Sequence, residues 1–139
     1  MLESFVGYQI GKSSLSIKLA IKQMFISKGF DITPEQWGVL YTLSKEDGQY
    51  QNKLANKLLK QKPNITRLID ILEEKKLLIR KINTEDRRVY KVYLTEKGRK
   101  LAEAIYSHIV NFENKLCQEL QKEEIVTLGK LLSKLTINS

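Results

Sequence analysis

Proline 63 divides the middle of this chain. Apolar side chains recur at helical spacing on both sides of it, with Leu54, Ala55 and Leu58 before and Ile65, Leu68, Ile69 and Leu72 after. One helix cannot run through both sets, because proline has no backbone N–H to donate and its ring clashes with the preceding turn. Proline is well suited to the first turn of a helix, where that N–H would have no partner anyway. The sequence therefore predicts a short helix over residues 51–59, a tight turn at 59–62 and a second helix from Pro63 to about Lys75, with Lys62 as its cap. This second helix is amphipathic and turns Pro63, Arg67, Asp70 and Glu74 outward.

Beyond Lys75 the period of the pattern changes. Residues 77–82 are rich in β-formers, 83–88 are polar and turn-prone, and 89–94 alternate with Tyr90, Val92 and Leu94 on one face, which predicts a β-hairpin with a charged tip. Upstream, Thr33 and Gln36 match a capping box, Pro34 takes the first helical position and Ile32 can staple to Trp37, so a helix starts at 34 and runs to about Ser44. The first helix, over 5–27, has one apolar stripe of Ile10, Ile17, Ile21 and Met24 and another of Leu15, Leu19 and Ile26, which implies two packing partners. After the hairpin, Thr95 caps a helix carrying Leu101, Ile105, Ile109, Phe112, Leu116 and Leu120, and residues 123–135 form a last one.

Two short helices about a tight turn, with a hairpin after them, describe a winged helix-turn-helix. The expected fold is mainly α with a small β-hairpin wing. With 139 residues and 42% apolar content the chain fits one domain, in which 33–100 form the winged lobe and 1–30 and 101–139 form dimerisation helices.

Charge supports a nucleic-acid partner. The net charge of +8 is concentrated, since residues 49–100 hold fifteen Lys or Arg against six Asp or Glu while the two flanks are close to neutral. Lysines and arginines gathered on one module supply the sequence-independent part of affinity for a line of phosphates. Lys53, Lys62, Arg67, Arg80, Arg87 and Arg88 are the basic candidates, with Pro63, Asn64, Thr66 and Asp70 beside them on the second helix. At the hairpin tip, an arginine can extend into a minor groove while a neighbouring carboxylate holds its fork, and Asp86 and Arg88 have that relation. The same residues would also make a solvated turn with a local ion pair.

Other classes find little support. The sequence has no phosphate-cradling glycine loop, one histidine (His108) and one cysteine (Cys117), so neither a catalytic constellation, a cofactor nor a metal site is expected. The hairpin lacks the aromatic platform of single-strand RNA readers. No apolar run is long enough for a membrane span or signal peptide, and a cytoplasmic protein is expected. A winged module that binds other proteins, its charge incidental, is the alternative reading.

These pieces, taken in order, resemble the MarR (multiple antibiotic resistance regulator) family of bacterial transcription factors. The resemblance is carried by Leu54-Ala55 with Leu58, by Ile65-Thr66-Arg67-Leu68-Ile69 and then Leu72-Glu73, by Asp86-Arg87-Arg88, and by Leu94-Thr95-Glu96-Lys97-Gly98. It implies a homodimer built from the terminal helices, a pseudo-palindromic double-stranded DNA operator, and repression relieved by a small-molecule effector or an oxidant. It further implies that the helix after Pro63 reads bases and that Arg88 is the wing-tip arginine oriented by Asp86. Tyr8, Trp37 and Tyr41 become candidates for lining an effector crevice, as against core or interface roles. Two departures stand out: Lys76 replaces the glycine usual after the recognition helix, and the first helix lacks the cysteine of thiol-sensing members.

Overall fold

The computed structural model describes residues 1–58, 60–86 and 89–135, and Lys62 through its backbone alone. Leu59, Arg87 and Arg88 thus lie outside the described residues. After a single 3-10 turn at Leu2–Ser4, the elements are α1 (Val6–Lys28), α2 (Pro34–Lys45), β1 (Gln49–Tyr50), α3 (Gln51–Lys57), α4 (Lys62–Glu74), β2 (Leu78–Ile82), β3 (Tyr90–Leu94), α5 (Glu96–Leu116) and α6 (Lys122–Lys134). The chain forms two compact units, Met1–Ala104 and the part from Ile105 onward.

The first unit is a helical layer over a small antiparallel sheet of order β1-β3-β2. Val39, Leu40 and Leu43 from α2, Leu54 from α3, Ile65, Ile69 and Leu72 from α4, and Leu78 and Val92 from the sheet have no solvent exposure. Leu54, Ile65, Ile69, Leu72 and Val92 belong to the inward sets that the 3.6-residue and two-residue periods mark out, whereas Leu58, Leu68, Tyr90 and Leu94 of the same sets are half-buried. Local chemistry sets the helix ends. Thr33 Oγ1 accepts from the Gln36 N–H at 3.1 Å and Gln36 Oε1 accepts from the Thr33 N–H at 3.1 Å, closing the expected capping box. Gly29, at φ +72°, ends α1, and the Phe30 N–H reaches back to the Phe25 carbonyl at 3.1 Å.

Four details depart from the sequence reading. Lys62 is the first residue of α4 rather than its cap, with Gln61 in the extended cap position and Pro63 second in the helix; either early position spares proline a missing hydrogen bond. A strand, β1, precedes α3: Gly48 turns at φ +66°, Asp47 Oδ1 accepts from the Leu94 N–H at 2.9 Å, and Gln49 and Tyr50 then pair with Val92 and Lys91. The fifth helix stops at Leu116, so Leu120 falls in a turn before α6, which starts on a Gln121–Glu124 capping box. On α1, only Phe25, a member of neither apolar stripe, is buried; Leu15, Leu19 and Ile26 are exposed.

One junction holds α4, β2 and α5 together. The end of α4 is a Schellman turn in which Lys76 N–H donates to the Glu73 carbonyl and Leu77 N–H to the Leu72 carbonyl, each at 2.9 Å. Lys76 takes φ +62°, the left-handed conformation that favours glycine. Thr95 then staples this turn to α5: its hydroxyl donates to the Lys76 carbonyl at 2.7 Å and accepts from the Gly98 N–H at 3.0 Å, while its N–H donates to the Leu77 carbonyl at 3.2 Å. The approach leaves no room for a side chain, since a Cβ at Gly98 would lie 2.0 Å from the Leu77 oxygen.

Substitutions at the two ends of this junction should act in opposite directions. Lys76→Gly should stabilise the fold by roughly 0.5 to 1 kcal/mol, the relief of the left-handed lysine less the added freedom of the unfolded chain. Gly98→Ala should destabilise it by about 3 kcal/mol through overpacking against backbone. Chemical denaturation of both variants measures the pair.

Candidate nucleic-acid interface

The α3–turn–α4 unit presents the first set of candidates. Gln51 Nε2, at the start of α3, donates to Thr66 Oγ1 at 2.7 Å, and this bond ties the two helices. Thr66 is therefore half-buried with its hydroxyl engaged toward α3. Pro63, Asn64, Arg67 and Asp70 are exposed on the other face. Arg67 does not swing freely: its Nη2 donates to Asn64 Oδ1 at 2.8 Å, one turn earlier, which holds the guanidinium along the helix surface. Gln61 supplies no side-chain cap, but its carbonyl accepts from the Asn64 N–H at 3.0 Å and the Ile65 N–H at 3.1 Å, and Pro63 has no N–H to offer, so the first turn of α4 is closed on itself.

In the wing, register sorts the charges. Arg80 pairs with Val92 and Leu78 with Leu94, so Arg80 lies on the inward face of β2, while Lys81 pairs with Lys91 on the outward face. Outward Lys91 sits 5.0 Å over the Tyr50 ring and Lys81 5.0 Å over the Tyr93 ring. Inward Arg80 reaches α4: Nη2 is 2.7 Å from Asp70 Oδ1 and 2.8 Å from Glu73 Oε1. Beyond β2, Asn83 N–H donates to the Val89 carbonyl at 2.9 Å and Val89 N–H to the Asp86 carbonyl at 3.0 Å, closing the loop backbone at both ends. The expected Asp86–Arg88 pairing, with Arg87 beside it, lies outside the described residues.

Around this core the other cations differ in commitment. Lys53 is exposed and 3.7 Å from Glu46, whereas Lys60 makes a 2.7 Å ion pair with Glu35. The aromatic candidates split as well. Trp37 stacks on Tyr41 with ring centroids 4.8 Å apart, and its indole N–H donates to the Ala102 carbonyl at 3.2 Å, a tie between α2 and α5. Tyr8 stands exposed on α1. An open depression of about 270 Å³ near the end of α1 is lined by Lys22, Phe25, Phe30, Gln36 and Lys75, among others, and by none of these three aromatics. Cys117 is half-buried just beyond α5. Among the described residues no group of His, Cys, Asp or Glu is arranged to hold a metal ion, and no helix is long and apolar enough to cross a membrane.

Comparison with known proteins agrees with this geometry. The MarR family model matches residues 32–90, the stretch from the start of α2 to the first residue of β3. The HTH-type transcriptional regulator MhqR of Bacillus subtilis (strain 168) is 31% identical over 108 residues, which cover 78% of this chain and 74% of that protein. The chain belongs to the MarR family. Among solved structures, the S. aureus MepR–DNA complex superimposes with a TM-score of 0.84 at 32% identity, covering 94% of this chain and 96% of MepR. The transcriptional repressor CouR, bound to a 23-mer DNA duplex, gives 0.86 at 25% identity, covering 96% and 94%. The expected MarR-type winged fold is thus the observed one, and the chain is a MarR-family transcriptional regulator.

Sequence reading missed two residues at this MarR-type site. Glu73 enters the sequence reading only within the Leu72-Glu73 stretch and with no partner assigned, yet its carboxylate accepts from Arg80 three times, at the backbone N–H (3.1 Å), Nε (3.3 Å) and Nη2 (2.8 Å). The available signal was the inward register of an arginine on β2, which demands a counter-charge from the helix beneath it. Gln51 gave no signal beyond its place before an apolar helix.

The Arg80 hydrogen bond and charge hold the Glu73 carboxyl below its ordinary value of 4.5 and raise Arg80 further, against a smaller opposing effect of burial. A carboxyl with a depressed folded pKa adds stability that is complete above the unfolded value and is lost as pH falls through the folded one. Glu73→Gln should therefore cost about 1 kcal/mol at pH 7, little because the pair is partly solvated, and the gap to wild type should narrow as pH falls below the ordinary carboxyl value of 4.5 and through the lowered folded one. Urea denaturation across about pH 3 to 8 measures the difference.

Proposed function

We propose that this protein is a homodimeric repressor that binds a pseudo-palindromic duplex operator, with α4 in the major groove and the wing in the adjacent minor groove. The observation that carries the reading is Arg67, held on the exposed face of α4 by Asn64. An arginine so placed can make two hydrogen bonds to guanine. In this reading Lys53, Lys62 and Arg87 contact the backbone, and Pro63 and Asn64 line the groove wall. Arg88 enters the minor groove with Asp86 steadying its guanidinium.

Dimerisation follows from unsatisfied apolar surface. Phe5, Val6, Leu15 and Leu19 in the first unit, and Leu131 and Leu132 in α6, are exposed in the single chain. Surface of this kind marks an interface, and segments 1–30 and 101–139 serve as the dimerisation helices around the 33–100 DNA-binding lobe. MepR and CouR, each solved on DNA and the latter a repressor, support the DNA-binding and repressor parts of the reading. A small-molecule effector that releases the operator completes the reading, with Tyr8 and the stacked Trp37–Tyr41 pair as its contacts. The absence of catalytic motifs from the sequence and the expected cytoplasmic location accord with a regulator.

Operator selected from random duplexes tests the proposal. Arg67→Ala should cost roughly 1 to 3 kcal/mol and relax preference at particular base pairs. Arg88→Ala should weaken binding while shifting preference in flanking A·T content, and Asp86→Ala should reproduce part of that loss. Failure of wild type to select any sequence would leave a winged module for protein partners.

A further inference from the structure

We propose that Arg80 is a positioning residue that locks the wing to the recognition helix, and that it makes no phosphate contact. The inference rests on the DNA-binding reading but reverses the part that sequence alone assigns to this arginine. Three features of the site lead to it.

The first is direction. Arg80 shares the inward face of β2 with Leu78, opposite buried Val92, and its side chain is only 23% exposed, half-covered by α4 and by the Tyr90 ring 5.7 Å away. The second is charge. Asp70 and Glu73 together present two carboxylates to one guanidinium, so the cluster carries a net negative charge and offers a phosphate no attraction. The third is the edge of the sheet. In the order β1-β3-β2, β2 is the outer strand, and its Arg80 N–H points away from β3 to be accepted by Glu73 Oε2 at 3.1 Å. One carboxylate thus closes a strand edge and holds a fork at the same time.

The geometry explains why the wing needs such a clasp. Helix α4 and the hairpin must enter neighbouring grooves together, so the angle between them decides whether both sets of contacts can form. Asp70 lies three residues beyond Arg67, nearly one turn along α4, and the clasp therefore fixes the hairpin relative to the base-reading arginine itself. A lysine keeps the charge but cannot span both carboxylates with a planar fork.

Two measurements on the full chain decide the matter. In a Cys117→Ser background, spin labels at Glu74→Cys on α4 and Glu85→Cys in the loop beyond β2 report the helix–wing distance in the free protein. Arg80→Lys and Arg80→Gln should both broaden a narrow distance distribution. An unchanged distribution would overturn the proposal whether or not the chain binds DNA. On the selected operator, both variants should lose about tenfold in affinity, the scale of a charge-assisted bond, with the slope of log K against log salt unchanged. If Arg80→Lys instead binds like wild type, while Arg80→Gln lowers the slope by about 0.9, Arg80 is a phosphate contact and the proposal fails. Wild-type protein that keeps a narrow distance but binds no operator would refute the DNA-binding reading and leave the clasp standing.

Discussion

The Leu77 carbonyl is the point on which the arrangement of this lobe depends. It comes directly after the left-handed turn that ends α4, accepts the Thr95 N–H, and occupies the space that any side chain at position 98 would need. Because β2 leaves from the same turn and α5 starts against it, the direction of α4, the departure of the wing and the entry of α5 are set by one close contact. The Leu-Thr-Glu-Lys-Gly stretch at 94–98 thereby acquires a physical meaning: threonine supplies a hydroxyl that both donates and accepts, and glycine supplies the missing Cβ.

A second tie acts further along the hairpin. Arg80 secures β2 to α4 through Asp70 and Glu73, so the hairpin is held at its base and again at its middle. The lobe's positive charge is divided accordingly. Some cations are spent within the fold, as Lys60 on Glu35 and Arg80 on its two carboxylates, while Arg67 is steadied by a neutral amide and keeps its charge for a partner. In the proposed complex, rigidity between helix and wing turns that charge into recognition, since two elements in fixed relation can meet two grooves of one duplex only in matching register.

Much of this was legible from residue types alone, and the exceptions share a cause. Pro63 separates α3 from α4, Thr33 and Gln36 start α2, and the alternation from Val89 to Leu94 announces β3, because each of these signals is local. Lys76 could be identified as a strained replacement for glycine, and its φ of +62° shows the strain is accommodated in place. What escaped is what depends on tertiary register. A two-residue β1 exists because Gly48 turns it toward β3, the partner of Arg80 is decided by which face of β2 looks at α4, and the apolar stripes of α1 stay largely exposed because a single chain provides little to cover them. The wing-tip roles of Arg87 and Arg88 belong to the proposed complex.

A fixed helix and wing, repeated by two-fold symmetry, would grip successive grooves of one DNA duplex. Dimethyl sulfate footprinting on a selected operator tests this central claim directly, since the reagent attacks guanine N7 in the major groove and adenine N3 in the minor groove. Two blocks of guanine protection are expected, centred about one helical turn, or a multiple of it, apart, each flanked by protected adenines on the wing side. A single unrepeated block, or guanine protection with fully reactive flanking adenines, would contradict it.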